Sequence, residues 1–279
     1  MELSMITSRQ NALVKTVCAL SEKKYRKETG LFRFDGVKLF LEAVSCRLSL
    51  SYVFLREDVA VRLLPTVLGA LDAGLLPRER IVTVSEGVFE KMSEEKSPEG
   101  ILTVAPMLSE LHLTGDAQTV ASLVGRGERI LLAESLQDPG NLGTVMRSCA
   151  ALGIDRLILG GTCADLYHAR TVRAAMGALF RLPTVTVQGA AFADAIGALR
   201  DEGRKIYATA LHREARVIGS FSLSAGDAFV IGNEGHGLSP ETIEACDASA
   251  LIPMCEGSES LNAAAAAAIC IWETVRKGE

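Results

Sequence analysis

From residue 129 onward the chain alternates short apolar runs with helices, and that alternation constrains the fold more than any other feature. Strands are predicted at 129–134 (RILLAE), 155–159 (DRLIL), 183–187 (PTVTV), 204–209 (RKIYAT), 227–231 (DAFVI) and 249–252 (SALI). Between them the pattern predicts helices at about 141–152, 168–176, 190–202 and 239–245, and a helix over 260–276 closes the chain. Strands joined in this way imply a largely parallel sheet with helices on both faces. Ligands then gather outside the carboxyl ends of the strands.

The last fifty residues carry two loops of that kind, FVIGNEGHGLSPE (229–241) and LIPMCEGSESLNAAAAAAICIWE (251–273). In each, an apolar run ends abruptly in small and polar residues, as a buried strand does when it delivers a loop to a ligand. Gly232, Gly235 and Gly237 would allow close backbone approach and positive φ. The closing helix is expected to start at Ser258 or Ser260, whose hydroxyl can cap free N–H groups. Its alanines leave so little side-chain bulk that another backbone must pack close to it. Two readings fit this spacing: a cradle for a polar small molecule, or a glycine turn followed by a well-packed terminal helix.

A third loop, ESLQDPGNLGTVMRSCAALGID (134–155), has a turn at Asp138-Pro139-Gly140-Asn141, with Asn141 as expected N-cap of the next helix. Arg147 stands out on an otherwise small, apolar helix. It is either a partner in a structural ion pair or a planar fork for a substrate phosphate or carboxylate. Farther on, 169–185 (ARTVRAAMGALFRLPTV) sets Arg170, Arg173 and Arg181 around a small-residue helix, either a phosphodiester path or a solvated face.

Residues 1–106 read as a separate α/β unit: an amphipathic helix over 7–27, strands at 31–34, 51–55, 80–84 and within 96–106, and helices at 36–46, 58–72 and 85–93. Weak periodicity and several glycines make 107–127 a linker and domain entry, leaving 128–279 as the second domain. The net charge is −5, yet residues 1–47 hold nine Lys/Arg against five acids, so the remainder carries −9. A basic end on an acidic body suits phosphate-backbone attraction at that end, and a solvated helix face accounts for it equally well.

Several classes are excluded. No apolar run nears the roughly 20 residues of a membrane-spanning helix, and the N-terminus does not read as a signal peptide. The seven cysteines are scattered and never form CxxC, which favours reduced thiols in a cytoplasm. Four unclustered histidines argue against a metal centre. There is no GxSxG elbow and no GxxxxGK[ST] loop, and the late glycines read GxxGxG, where a nicotinamide enzyme needs GxGxxG after its first strand.

Taken in order, NLGTVMRSCAALGID, FVIGNEGHGLS and IPMCEGSESLNAAAAAA resemble motifs 1, 2 and 3 of the SpoU/TrmH family of RNA 2′-O-ribose methyltransferases, in the SPOUT superfamily. RAAMGALFRLP (173–183) fits the intervening block of that family, and residues 5–46 resemble its N-terminal RNA-binding domain, similar to a small ribosomal protein. Ala175, where serine is common, and Ala263 to Ala266, which replace a mixture of valine and serine, depart from the family pattern.

The resemblance implies an α/β fold whose mainly parallel C-terminal SPOUT domain is tied into a deep trefoil knot, homodimerisation, S-adenosylmethionine as cofactor, no metal, and an RNA substrate. By motif position Gly232, Ile252, Leu261 and, less directly, Thr209 would contact the cofactor. Asn141, Arg147, Glu234, Ser260 and Asn262 match catalytic and substrate positions. Arg9, Lys15, Lys23, Lys24, Arg33, Lys38 and Arg173 are the expected RNA contacts. Ribosomal RNA is the expected substrate; a tRNA enzyme and a non-catalytic RNA-binding or assembly factor keeping the fold are the alternatives.

Overall fold

The computed structural model describes residues 4–189, 191–210, 214–233, 235–255 and 260–277. The chain forms two compact units, Met1–Leu108 with Tyr167–Phe180, and Ser109–Leu166 with Arg181–Glu279. The first unit runs β1 (Ser4–Ile6), α1 (Ala12–Ala19), α2 (Lys23–Thr29), β2 (Leu31–Asp35), α3 (Val37–Ser45), β3 (Tyr52–Arg56), α4 (Glu57–Asp72), β4 (Ile81–Val84), α5 (Glu86–Met92) and β5 (Ile101–Pro106). The second opens with β6 (His112–Gly115), α6 (Ala117–Leu123), β7 (Ile130–Glu134), α7 (Pro139–Leu152) and β8 (Arg156–Gly160). After α8 (Ala169–Ala175), which belongs to the first unit, the second resumes with β9 (Thr184–Val187), α9 (Ala191–Asp201), β10 (Ile206–Thr209), β11 (Arg216–Val217), β12 (Ala228–Ile231), α10 (Pro240–Ala245), β13 (Ala248–Leu251) and α11 (Ala263–Lys277).

In the first unit the sheet order is β1-β4-β3-β5-β2, parallel at β1–β4 and β4–β3 and antiparallel at β3–β5 and β5–β2. Val14, Val17, Leu20, Phe54, Val88, Phe89 and Met92 build the core on one face. The helix expected over 7–27 breaks after Ala19. Arg26, only 3% exposed, turns back and donates to the Leu20 and Ser21 carbonyls at 2.7 Å each, taking up acceptors that a continuous helix would have kept. Tyr167 and Phe180 belong here because their rings pack on β2, with centroids 4.8 Å (Tyr167–Phe32) and 5.2 Å (Phe180–Phe34) apart.

Among the described residues the second unit holds eight strands in the order β11-β13-β10-β12-β7-β8-β9-β6, every pair parallel. Residues 112–123, within the stretch expected as linker and domain entry, form the edge strand β6 and helix α6, whose N-cap Asp116 accepts from the Thr119 N–H at 2.9 Å. The chain lays β7, β8 and β9 in one direction, then crosses to the far side of β7 for β10, β12 and β13. That reversal opens a crevice at the carboxyl ends. Helix α11 packs on α7 and β12 through Ala263, Ala264, Ala267, Cys270 and Ile271, all at most 6% exposed. Helix α7 buries Gly143 along with Leu142 and Met146, and its backbone runs close to that of α11, as the alanine run requires.

One carboxylate of the first unit is held against its chemistry. Asp35, at the end of β2, has its pKa pushed up to about 6, chiefly by burial and further by Glu95 and Glu94, against the opposing pull of Ser93 and Arg33. Its Oδ1 is buried with no hydrogen-bond partner. Because the folded-state pKa lies above the unfolded 3.8, the folded chain holds the proton more tightly, and the stability this confers is lost as pH rises from about 4 through 6. The displacement is worth about 3 kcal/mol. Asp35→Asn is therefore expected to gain up to about that much relative to wild type between acid and pH ~8 in urea titrations. Parallel pH profiles for the two proteins would contradict the assignment.

Candidate functional site

Strands β10, β12 and β13 end together around a cavity of about 420 Å³, within the range of small-molecule sites. Thr209, Ile231 and Ala250 form a level row beneath it, since β10 pairs Ala208 with Val230 and Thr209 with Ala250. The chain emerging from β12 folds into a narrow hairpin, Asn233 and Gly237 exchanging N–H···O bonds of 3.0 Å in both directions. The Asn233 side chain fills its centre: Oδ1 accepts from the Gly235 N–H at 2.8 Å and the His236 N–H at 3.2 Å, and Nδ2 donates to the Ser135 carbonyl at 2.8 Å. Of the three glycines that would allow positive φ, Gly237 adopts it, at 68°. Gly232 is needed for space, because a Cβ there would lie 2.6 Å from the Gly237 carbonyl oxygen and 2.7 Å from the Leu238 nitrogen.

The four expected cofactor contacts, Gly232, Ile252, Leu261 and Thr209, all line this cavity, and so does Ser260. The Thr209 hydroxyl donates to the Val230 carbonyl at 2.7 Å, which leaves its methyl as wall. Leu238, Met254, Ala263 and Ala266 complete the apolar surface and escaped the sequence reading, since no motif marks a plain aliphatic wall.

Beside the cavity α7 and α11 meet through two asparagines. Asn262 Nδ2 donates to Asn141 Oδ1 at 3.0 Å, and Asn262 Oδ1 accepts from the Ala264 and Ala265 N–H groups at 2.9 and 3.3 Å. Asn262 is thus the N-cap of α11, in place of the expected Ser258 or Ser260; Ser258 lies outside the described residues, and Ser260 stands two positions before the cap. The expected cap of α7 is likewise corrected. Pro139, whose ring presets helical φ and needs no donor, is the first helical residue, and Asp138 accepts from the Asn141 N–H at 2.9 Å. Two turns along, Arg147 is exposed, and among the described residues no ion pair or hydrogen bond engages its guanidinium. Glu234 falls outside the described residues.

In the first unit Arg9, Lys15, Lys23, Lys24 and Lys38 are exposed. Arg33 is not a surface cation: at 7% exposure it donates to the Met92 carbonyl and pairs with Glu94, its β2 position pointing it into the unit. Arg173 is half-exposed and paired with Glu95.

The sequence reading also missed Glu134, at the carboxyl end of β7 and 9% exposed, which accepts from the Ser239 N–H, the Ser239 hydroxyl and the Thr242 hydroxyl at 2.8, 2.8 and 2.9 Å. A charged residue closing an apolar strand was the available signal. Four of the seven thiols are held against ionisation. Burial pushes Cys246 up to about 12 and Cys163 to about 11, and drives Cys149 and Cys270 upward as well. Among the described residues no group of His, Cys, Asp or Glu could hold a metal ion.

A parallel sheet with a glycine-walled cavity at its strand ends defines a doubly wound α/β domain of the kind that holds a small molecule there. The SpoU rRNA methylase family model matches residues 128–272, and a model of an MRM3-like substrate-binding domain matches 11–103. The chain belongs to the SpoU rRNA methylase family. It is 30% identical to the 23S rRNA (guanosine(2553)-2′-O)-methyltransferase RlmP of Bacillus subtilis, over 97% of this chain and 98% of that one. An AdoMet-bound rRNA methyltransferase from Sinorhizobium meliloti superposes with a TM-score of 0.81 at 27% identity, covering 98% of both chains. The SpoU methyltransferase AviRb of Streptomyces viridochromogenes, in complex with AdoMet, superposes with a TM-score of 0.75 at 28% identity, over 96% of this chain and 98% of that one.

Asn262→Ala removes the α11 cap and the link to Asn141 together, and is expected to cost about 1 kcal/mol in urea unfolding. Restoring a cap with Asn262→Ser should recover that stability without the link, and an unchanged midpoint in the alanine variant would refute the capping role.

Proposed function

We propose that this chain transfers a methyl group from S-adenosylmethionine to a ribose 2′-hydroxyl of RNA, and that the RNA is that of the large ribosomal subunit. The observation that carries the reading is the tie between Asn141 and Asn262, which fastens the arginine-bearing helix α7 to the helix whose first turn walls the cavity. In this reading the pocket holds the methyl donor and the guanidinium carried by α7 receives the RNA. The residues fit the cofactor. Ile231, Leu238, Ile252 and Leu261 offer apolar surface to an adenosine, and Gly232 keeps the backbone clear where a Cβ could not stand.

When bound, S-adenosylmethionine supplies an electrophilic methyl on a sulfonium. What the chain supplies is placement, which is worth several orders of magnitude when reacting atoms are held in line. Arg147 presents a planar fork to the phosphate next to the acceptor ribose and stabilises charge developing on its 2′-oxygen. Orientation and electrostatics are its role in this reading: as the 2′-oxygen takes the methyl and S-adenosylhomocysteine leaves, the displaced hydroxyl proton passes to water. Ser260 and Asn141 line the approach of the ribose, and Glu234 joins them by motif position alone. Thr209 forms cavity wall.

Residues 1–106 form the RNA-binding domain in this reading, with Arg9, Lys15, Lys23, Lys24 and Lys38 as solvent-facing cations and Arg173 released from Glu95 on contact; Arg33 is left out because it is buried. Residues 107–127 enter the catalytic domain 128–279, whose C-terminal trefoil knot around the cavity is part of the same proposal. So is a homodimer. Ala265, Ile269, Trp272 and Arg276 form one exposed stripe of α11, with Trp272 56% and Ile269 37% exposed, the kind of surface a second copy covers. No helix among the described residues is long and apolar enough to cross a membrane, and a cytoplasmic location fits an RNA substrate.

Transfer of labelled methyl from S-adenosylmethionine to total RNA tests the reading, with the product mapped as an alkali-resistant 2′-O linkage. Arg147→Ala is expected to lose about 100-fold or more of the rate while still binding S-adenosylhomocysteine. Label in tRNA alone would move the substrate to tRNA. No label in naked RNA or ribosomal subunits, with no cofactor binding, would overturn the methyltransferase reading.

A further inference from the structure

The buried carboxylate of Glu134 sits between the two halves of the site without lining either. Its strand pairs with β12 so that Ala133 lies opposite Ile231, which places Glu134 level with Gly232, the first residue of the cavity hairpin. All three of its donors belong to Ser239 and Thr242. Each of these directly precedes or follows a residue that lines the cavity: Leu238 comes before Ser239, and Ile243 after Thr242. The next residue, Ser135, takes the left-handed conformation at φ 55°, uncommon outside glycine. Three bonds hold it there: its N–H donates to the Gly160 carbonyl at 2.9 Å, its hydroxyl accepts from the Thr162 N–H at 3.2 Å, and its carbonyl accepts from Asn233 Nδ2 at 2.8 Å. Three residues farther on, Asp138 caps the helix that carries Asn141 and Arg147.

We propose that Glu134, with the Ser135 carbonyl beside it, is a positioning residue of methyl transfer that fixes the spacing between the cofactor cavity and the Asn141–Arg147 helix. It touches neither cofactor nor RNA. It grips the hairpin and the start of α10 from behind while its own strand leads into α7, so this dipeptide couples the two halves from below as the Asn141–Asn262 bond does from beside the cavity. A carboxylate suits the task because its two oxygens accept three bonds at once, and a side chain so placed would leave buried donors unsatisfied if it were removed. The inference rests on the methyltransferase reading and adds to it a residue that acts through alignment.

The test uses the full-length protein in wild-type, Glu134→Ala, Glu134→Gln and Thr242→Val forms. S-adenosylhomocysteine affinity is measured by calorimetry, thermal midpoint by calorimetric scanning, and methyl transfer in a single turnover at saturating cofactor. Glu134→Ala is expected to weaken S-adenosylhomocysteine about tenfold and to slow the saturated turnover by at least as much. Glu134→Gln, which keeps an oxygen for the hydroxyls, is expected to recover most of both. A saturated rate equal to wild type in Glu134→Ala, whatever its midpoint, overturns the proposal, because a purely structural carboxylate would lower stability alone. Should the alanine variant not fold, Thr242→Val removes one donor at constant volume. A slowed saturated rate there supports the proposal and an unchanged one overturns it. Failure of the wild-type chain to bind S-adenosylhomocysteine would instead bring down the methyltransferase reading, and this inference with it.

Discussion

Parallel pairing of β10 with β12 on one side and β13 on the other is the constraint on which the rest of the site depends. Side chains alternate along a strand, so register decides which residues face a common space. Here it brings Thr209, Ile231 and Ala250 level, and the chain leaves all three strands at the same height. A shift of one residue in either pairing would turn Thr209, Ile231 or Ala250 away, according to the strand that moves, and destroy the floor. The ladder is insulated from such slippage by its burial: Ile206, Ala208, Ala228 and Val230 are each fully buried in one core with Leu132, Ile158 and Val185.

On that floor the polar groups leave little freedom. Asn262 spends its oxygen on two backbone N–H groups and a proton of its nitrogen on Asn141, so the amide can adopt only one of its two flips. The orientation of Asn141 follows, since its oxygen must be the acceptor. Asn233 repeats the pattern across the cavity, its oxygen closing the hairpin turn and its nitrogen reaching Ser135. Two asparagines thus lock two loops through atoms that cannot be interchanged. The apolar walls can be smooth because geometry is specified at the edges.

The six interior strands of the second unit were legible to within two residues because each is a continuous apolar run between breakers. The edge strands β6 and β11 were not: one is four residues long and the other two, each pairs on one side only, and neither needs an apolar sequence. Helix ends were misread where several capping residues stood in a row. Asp138 and Asn141 both qualify, and only the fixed φ of Pro139 selects the first; Ser260 and Asn262 both qualify, and the contact with α7 selects the second. Of the cavity residues, Gly232, Ile252, Ser260 and Leu261 were reached through motif resemblance, whereas Leu238, Met254, Ala263 and Ala266 were not. Glu134 was not: a charge closing an apolar strand marks it, but its partners lie more than 100 positions away, so nothing local says what it holds.

Charge counting shows the same limit from the other direction. Of the nine cations in residues 1–47, Arg26 and Arg33 are internal, one holding the α1–α2 junction and the other bound to the Met92 carbonyl and Glu94. Lys24 faces Glu28 at 3.9 Å, and the Arg9 Nε is committed to the Gly87 carbonyl at 2.8 Å. The basic excess therefore describes a scaffold as much as a surface. Association with a polyanion scales with the cations that can exchange counterions for phosphates. On the proposed reading that number is smaller than composition suggests, so RNA selection must lean on the placement of the remaining lysines along separate helices and on the fit of a ribose beside the cavity.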